Sequence, residues 1–233
     1  MKSLILFLAS TFLLLSCNEK TVVFNPMQNI PSSATNETIP FELNCDTLIN
    51  NNLLFKICNG NDTSAFMLHK SDTLYKFSQG IHNFEITDFN KDGFKDVIFH
   101  YVSNNAQDGI YLFDGTVNKF RYVEHSESYP ESVKIKNTNY YYCYNRRGCS
   151  DLNWDSDLFF IKDYEIHKIG NITGIGCPPN DEKTEIKNGI YIYKIEKDSI
   201  ETLVQYIPGE SGYYKNKWDF IENYWTRNYQ NFE

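Results

Sequence analysis

The stretch Asp88-Phe89-Asn90-Lys91-Asp92-Gly93-Phe94-Lys95-Asp96 is the most informative part of this sequence. Oxygen-bearing side chains occupy its first, third, fifth and ninth positions, and a glycine occupies the sixth. Ca²⁺ binds about six to eight oxygen atoms, and alternate residues of a tight loop direct their side chains to one centre. Gly93 permits a sharp turn that a Cβ atom would resist. The pattern predicts a calcium loop with five ligands: Asp88, Asn90, Asp92, Asp96 and the carbonyl oxygen of Phe94.

The segments on either side of this loop are predicted to be β-strands. Phe84–Ile86 precedes the loop and Val97–Val102 follows it, and both are rich in β-branched and aromatic residues. An EF-hand would require a bidentate Glu at the twelfth position of the loop, where this chain has Phe99. The loop is therefore expected to join two strands rather than two helices.

The same organisation continues along the chain, where short apolar segments alternate with turn residues every eight to twelve residues. The 17 Tyr and 17 Phe residues also favour β structure over helix. This spacing predicts an all-β fold, an antiparallel β-sandwich or barrel-like domain with one calcium-binding loop between strands. Asp151–Asp157 partly repeats the calcium pattern, but it lacks the glycine and the last carboxylate, and we interpret it as an acidic loop. Without further copies of the pattern, a β-propeller is not expected.

The first residues have the features of a bacterial lipoprotein signal. Lys2 is followed by the apolar run Leu4–Leu15, which is too short to span a membrane. The run ends in Leu-Leu-Ser-Cys, which predicts cleavage after Ser16 and lipidation of Cys17. Asn18 follows the cysteine, and this favours the outer membrane, facing the periplasm, over retention at the inner membrane.

The sequence as a whole divides into a signal peptide, a tether and one domain. Residues 1–16 form the predicted signal peptide, 17–40 a polar, lipidated tether, and 41–233 a single domain. The net charge of −8 becomes −9 when Lys2 is removed with the signal. This charge argues against nucleic acid as a partner, and it suits cation binding or a basic protein partner.

Five cysteines remain after Cys17, and an exported chain meets an oxidising compartment. The short separations predict disulfides Cys143–Cys149 and Cys45–Cys58, with Cys177 as a competitor for Cys149. No C-x-x-C motif occurs, so metal binding by these cysteines is not expected.

No convincing catalytic set is present in the sequence. The histidines lack zinc-binding spacing, and His100 lies in an apolar run where a structural role is expected. The carboxylates of Asp151, Asp155 and Asp157 leave one enzymatic alternative, hydrolysis of a carbohydrate. We therefore expect a protein that is not an enzyme.

The calcium pattern between two strands resembles the FG-GAP/VCBS-type loop of integrin-like β-propellers, which also occurs singly in small envelope lipoproteins. Residues 81–170 are also similar to lipoproteins related to i-type lysozyme inhibitors, some of which give immunity to peptidoglycan hydrolases. That resemblance implies a partner-binding S-G-x-Y loop, matched here by Ser211, Gly212, Tyr213 and Tyr214. Arg146 and Arg147 form a rival contact surface, because arginine is enriched at protein interfaces.

The sequence thus predicts a non-catalytic, calcium-binding envelope lipoprotein that inhibits, or gives immunity to, a cell-wall hydrolase. Its membrane contact is the N-terminal lipid. The alternatives are the carbohydrate-acting enzyme and a structural envelope protein.

Overall fold

Fifteen β-strands and one α-helix make up most of the regular structure in the computed structural model, which describes residues 43–70, 72–77, 80–177, 186–196, 200–209 and 216–233. All of these residues belong to one compact unit, Pro40–Glu233. The predicted signal peptide, Cys17, the tether and the Ser211–Tyr214 string lie outside the described residues.

The strands form three antiparallel sheets. Sheet A contains β1 (Leu43–Asn50), β2 (Leu53–Gly60), β3 (Ala65–His69) and β4 (Asp72–Phe77) in that order. Sheet B contains β5 (Ile81–Thr87), β6 (Asp96–Tyr101), β7 (Asp108–Asp114) and β8 (Lys119–Tyr122) in that order. Sheet C contains β9 (Val133–Lys134), β10 (Tyr140–Tyr142), β11 (Asn145–Arg146), β12 (Trp154–Lys162), β13 (Glu165–Ile175), β14 (Gly189–Ile195) and β15 (Glu201–Pro208). Its order is β15-β14-β13-β12-β10-β9, and β11 also pairs with β12.

Tight turns allow neighbouring strands to pair directly. Asn51 and Asn52 connect β1 to β2, and their φ angles are +48° and +62°. A two-residue hairpin of this kind needs positive φ at both positions, and asparagine tolerates it better than most residues. These short connections explain why each sheet is built largely from strands that follow one another in sequence.

Sheet B is the middle layer of the structure. Val97 and Phe99 of β6 pack with residues of sheet A such as Phe55, in a core that includes Leu48, Ile57, Ala65, Met67, Ile81, Tyr111, Phe113 and Phe120. Ile98 points to the opposite face, because side chains alternate along a strand. There it packs with Tyr141 and Phe159 of sheet C, in a core that includes Phe89, Ile110, Leu112, Val123 and Cys143.

The helix α1 (Lys217–Asn228) covers the other face of sheet C. Ile221 and Trp225 lie one helical turn apart and are both buried against that sheet. Gly170 of β13 allows the close approach of α1 and of Phe232 after it, because a Cβ atom there would lie 3.1 Å from the Trp225 ring and 2.8 Å from the Phe232 ring. The Trp225 indole N–H also donates a 2.9 Å hydrogen bond to Ser156 Oγ.

Two disulfides are present among the described residues, and one differs from the prediction. Cys45 and Cys58 face each other across β1 and β2 and are bonded, as expected from the sequence. The predicted Cys143–Cys149 bridge is wrong, because Cys149 is bonded to Cys177. Cys143 is buried in the core between sheets B and C and is free, and burial raises the pKa of its thiol.

The all-β prediction is confirmed: the molecule is a layered antiparallel sandwich. One element was not predicted, and one local prediction was wrong. The sequence analysis did not anticipate α1, and it assigned Asp151–Asp157 to a loop although β12 begins at Trp154. No helix among the described residues is long and apolar enough to cross a bilayer.

Replacing Trp225 by Ala should lower the free energy of unfolding by about 3–5 kcal/mol, because it removes a fully buried ring from the core between sheet C and α1. Urea denaturation followed by circular dichroism measures the change. Thr226→Ala, at the exposed neighbouring position, is the control and should change stability by less than about 0.5 kcal/mol. Equal losses in the two variants would contradict this packing.

Candidate metal centre

The predicted calcium loop joins β5 to β6 and is held by its own side chains. The Asp88 carboxylate accepts hydrogen bonds from the backbone N–H groups of Asp92, at 3.1 Å, and Gly93, at 3.2 Å. Asn90 Oδ1 accepts a second bond from the Asp92 N–H, and Asp92 Oδ1 accepts one from Phe94. Gly93 has a φ of +96°, which favours glycine. The structure thus gathers the first three predicted side-chain ligands into one small loop.

Asp96, the fourth predicted side-chain ligand, lies beneath the loop at the start of β6. It is fully buried, and its Oδ2 accepts N–H bonds from Phe89, at 2.9 Å, and Asn90, at 3.4 Å. Its Oδ1 accepts a 2.8 Å bond from Phe113 in β7. Burial raises the pKa of Asp96 to about 7, and the charge of Asp92 acts in the same direction, although the three N–H groups favour the ionised form. Asp96 therefore ties the loop to sheet B.

The end of the loop is also fixed to sheet A by Asn50. This buried side chain donates a 2.8 Å hydrogen bond to the carbonyl oxygen of Lys95 and accepts a 2.8 Å bond from the Lys95 N–H. The next residue, Asn51, donates to the carbonyl oxygen of Gly115 in the turn after β7. The β1–β2 hairpin therefore holds the loop and a neighbouring turn in place.

A lysine borders the other side of the loop. Lys134 Nζ donates a hydrogen bond to the carbonyl oxygen of Asn90 and lies 5.6 Å from the centre of the Tyr141 ring. Burial lowers the pKa of Lys134, while the charges of Asp88 and Asp92 oppose that effect. The ammonium group stands beside an open cleft of about 550 Å³ that the loop also lines.

The donor chemistry of the loop fits a hard cation. Asp88, Asn90 and Asp92 supply side-chain oxygens from one turn, and each oxygen retains a lone pair beyond the N–H bonds described above. Among the described residues, no group of three or more His, Cys, Asp or Glu side chains is arranged to hold a metal ion. A cation in this loop would therefore use the Asn90 amide and backbone carbonyl oxygens in addition to the carboxylates.

The acidic residues of the second, partial pattern are each paired with a cation. Asp151 is bound by Lys217, Asp155 by Arg147, and Asp157 by Lys168 at 2.8 Å. Burial raises the pKa of Asp155, while Thr173 and Arg147 favour its ionised form. Each carboxylate thus has its own cationic partner.

The two arginines that were predicted to contact a partner are exposed, but each already pairs with an aspartate of the same molecule. The side chains of Arg146 and Arg147 are 56% and 66% exposed. Arg146 Nε lies 3.5 Å from Asp151 Oδ1, and Arg147 is hydrogen-bonded to the buried carboxylate of Asp155. Arg147 therefore has a structural role in addition to any contact with a partner.

The sequence analysis missed a pairing of His100 with Asp108. His100 Nδ1 lies 2.7 Å from Asp108 Oδ1 in a pocket of about 350 Å³ that Glu131 and Ser132 also line. Hydrogen bonding to Asp108 raises the pKa of His100, although burial opposes this effect. The nearby Ser132 hydroxyl donates to the carbonyl oxygen of Tyr129 at 2.6 Å. The eight-residue separation of a His and an Asp gave no pattern from which this pairing could be recognised.

The fold and this loop define an all-β protein with one oxygen-rich turn between strands of its middle sheet. No protein-family model and no curated protein matches the sequence. Among solved structures it is similar to one described as "Structure of a Xanthomonas Type IV Secretion System related protein". The TM-score is 0.41 with 16% sequence identity, over 70% of this chain and 85% of that one. A likeness at this level carries no functional argument.

Asn50→Ala should lower the free energy of unfolding by about 2–4 kcal/mol, because it leaves the N–H and the carbonyl oxygen of Lys95 without their partner. The measurement is urea denaturation. Asn44→Ala, at an exposed position of the same strand, is the matched control and should have little effect. A small loss for Asn50→Ala would mean that the bridge between sheet A and the loop is unimportant.

Proposed function

We propose that this protein is a calcium-binding, non-catalytic lipoprotein of the bacterial envelope whose folded domain binds and inhibits a cell-wall hydrolase. The observation that carries the proposal is the organisation of the loop, where Asp88, Asn90 and Asp92 are turned inward by hydrogen bonds to its backbone. Lipidation at Cys17 would hold the domain at the outer membrane, facing the periplasm.

Calcium would have a structural task in this loop. The Asp88 carboxylate lies at the backbone N–H of Asp92, and the charge of Asp92 acts on the buried carboxylate of Asp96. A divalent cation would reduce the repulsion among these carboxylates, because opposite charge favours their ionised forms. It would thereby fix the connection between β5 and β6 at the centre of the layered fold. This role requires no exchange of ligands with a substrate.

The carbohydrate-acting alternative receives less support. Catalysis of glycoside hydrolysis needs one carboxyl group to donate a proton and a second carboxylate to act as base or nucleophile at the same bond. Asp151 and Asp157 are each paired with a lysine, and Asp155 with an arginine. These separate ion pairs are better explained as connections within sheet C, and between α1 and the turn before β12.

A protein partner is favoured by the charge and by the resemblance noted in the sequence. A negative domain attracts basic hydrolases and speeds their encounter in a salt-dependent way. Arg146 and the Ser211–Tyr214 string supply the side chains for contact. Replacing Arg146 tests partner contact more specifically than replacing Arg147, because Asp151 keeps Lys217 and Tyr144 as partners when Arg146 is removed.

Calcium should raise the melting temperature of the purified domain relative to excess chelator. A ligand that binds only the folded state stabilises it by about 2.7 kcal/mol at one hundred times its Kd. Asp92→Ala should abolish the difference, whereas Asp72→Ala, an exposed strand residue outside the loop, should retain it. Thermal unfolding with calcium and with chelator makes the comparison.

A second variant, Lys134→Met, tests whether the lysine competes with calcium for the loop. Removal of the ammonium group beside Asn90 should tighten calcium binding, because like charges repel. Identical melting of the wild-type protein with calcium and with chelator would refute the structural role of the ion. An unchanged or weakened affinity in Lys134→Met would show that the lysine does not compete with it.

The second prediction of the proposal concerns the partner. The untethered domain should inhibit at least one purified lysozyme-type hydrolase stoichiometrically when peptidoglycan turnover is measured at physiological salt. Tyr213→Ala and Arg146→Ala should weaken inhibition by at least about tenfold, equivalent to about 1.4 kcal/mol. Arg227→Ala, an exposed arginine of α1, is the control. Absence of inhibition, with glycan cleavage by the domain itself that is lost in Asp155→Asn, would support the enzymatic alternative instead.

A further inference from the structure

His100 and Asp108 lie beside the core between sheets B and C. They are paired across β6 and β7, and Ile98 and Ile110 form the pair two positions away. Side chains two positions apart on a strand share a face. Both isoleucines belong to the core between the sheets, so the polar pair borders that core. The same four side chains line the pocket of about 350 Å³.

The Asp108 carboxylate joins two parts of the fold. Its Oδ1 lies 2.7 Å from His100 Nδ1, and its Oδ2 accepts a 2.9 Å hydrogen bond from the backbone N–H of Glu131. Glu131 lies two residues before β9, a strand of sheet C. Asp108 is more than 90% buried, and His100 is its ionic partner among the described residues. The carboxylate therefore connects sheet B to the segment that leads into sheet C.

The conformation of Glu131 requires a fixed partner for its N–H. Its φ angle is +51°, in the left-handed region that residues other than glycine rarely adopt. Such a conformation persists only where surrounding contacts hold it. The carbonyl oxygen of the preceding residue, Pro130, accepts a 3.3 Å bond from the Tyr144 N–H. The Glu131 N–H itself is held by Asp108.

The charges around His100 make the pair sensitive to its protonation. Asp108 faces it from β7, and Glu85 lies diagonally across from it on β5. Hydrogen bonding to Asp108 raises the pKa of His100. Burial opposes this effect, and the charges of Asp108 and Glu85 add to it. The imidazolium form is therefore favoured by carboxylates on both neighbouring strands.

Glu131 brings a third carboxylate to the pocket. Burial raises its pKa, the charges of Asp108 and Asp151 act in the same direction, and the charge of Arg146 opposes them. While His100 is protonated, its charge offsets part of the charge of the three carboxylates. When His100 loses its proton, the carboxylates keep their mutual repulsion without that cation.

We propose that His100 and Asp108 form a pH-sensitive clasp, which holds the segment before β9 to sheet B while His100 is protonated. A hydrogen bond between two ionised groups is stronger than one from a neutral imidazole. Deprotonation therefore weakens the hold on Asp108, and the carboxylate then fixes Glu131 less firmly. The clasp uses no residue of the calcium loop, and it goes beyond the function proposed above.

The direction of the pH dependence follows from the raised pKa of His100. A group whose pKa is higher in the folded state stabilises that state while it is protonated. The contribution of His100 is complete below its unfolded value of about 6.5 and is lost as the pH rises through the folded value. The raised pKa of Glu131 acts in the same direction, beginning at lower pH. Asp96, whose pKa is about 7, titrates in the same range as His100, so variants that differ only at the clasp are compared.

The first measurement is nuclear magnetic resonance of the purified, calcium-free protein between about pH 6 and about pH 8. The imidazole C–H signals of His100 should titrate with a midpoint above about 6.5, and Asp108→Asn should lower that midpoint. The signals of His69, in sheet A, are the internal control and should match in the two proteins at every pH. If Asp108→Asn does not fold, Glu85→Gln replaces it and should lower the midpoint by a smaller amount.

Hydrogen exchange of the Glu131 N–H reports on the clasp itself. Its protection, corrected for the intrinsic effect of pH on exchange, should fall several-fold from about pH 6 to about pH 8. His100→Gln, which keeps a side-chain donor, should show the lower protection at both values. The Ile110 N–H donates to the Ser126 hydroxyl at 3.0 Å, a partner that does not titrate, and should keep its protection in every protein.

Any of three results would overturn the proposal. These are a wild-type His100 midpoint at or below about 6.5, a midpoint unchanged by Asp108→Asn, or Glu131 protection that is constant with pH or falls equally in His100→Gln. An equal fall would assign the pH dependence to Asp96 or another group. Circular dichroism shows whether each variant is folded, and His100→Asn replaces a misfolded His100→Gln. The measurements need neither calcium nor a hydrolase, so their failure is distinguishable from failure of the proposed function.

Discussion

Burial of sheet B on both faces is the constraint on which the rest of the structure depends. Val97 and Phe99 face sheet A, while Ile98 faces sheet C, so β6 has no solvent-exposed side over its first half. A strand in this position cannot leave its polar groups unpaired, because a buried unsatisfied group costs about 1–3 kcal/mol. Its first residue is nevertheless Asp96. That carboxylate is tolerated because three backbone N–H groups, from two separate segments of the chain, converge on it.

This arrangement connects local structure to the proposed metal site. Asp96 holds the start of the loop through Phe89 and Asn90, and Asn50 holds its end through Lys95. The loop is thus anchored to its own sheet B and to sheet A before any ion is considered. An ion would act on side chains whose positions are already restricted, so little conformational entropy would be lost on binding. Pre-organisation of this kind increases affinity mainly by reducing that cost.

The sequence predicted the features that depend on local chemistry. It did not predict the features that depend on packing between distant segments. Alternating and continuous apolar runs located most strands, and the spacing of Asp88, Asn90 and Asp92 located the loop. The Cys143–Cys149 pairing failed because Cys143 points into the core between sheets B and C, whereas Cys149 lies in an exposed turn. Asn153 holds Cys177 beside that turn through two hydrogen bonds to Cys177 and one from the Gly176 N–H, and spacing does not predict this contact over 24 residues. The helix was missed because its aromatic residues suggest strand, although Ile221 and Trp225 already have the spacing of a helical face.

The same contrast explains why Asp151, Asp155 and Asp157 were first considered together. In sequence they form one acidic cluster, but Asp155 and Asp157 lie on a strand and Asp151 lies in the turn before it. Three cations from three different segments, at Lys217, Arg147 and Lys168, then separate them. The strand pairs instead align Asp155 and Asp157 with tyrosines that are distant in sequence. A feature that suggested catalysis in the sequence is therefore, once the register is known, a set of carboxylates each held by a cation from another segment, and such ion pairs connect parts of the fold.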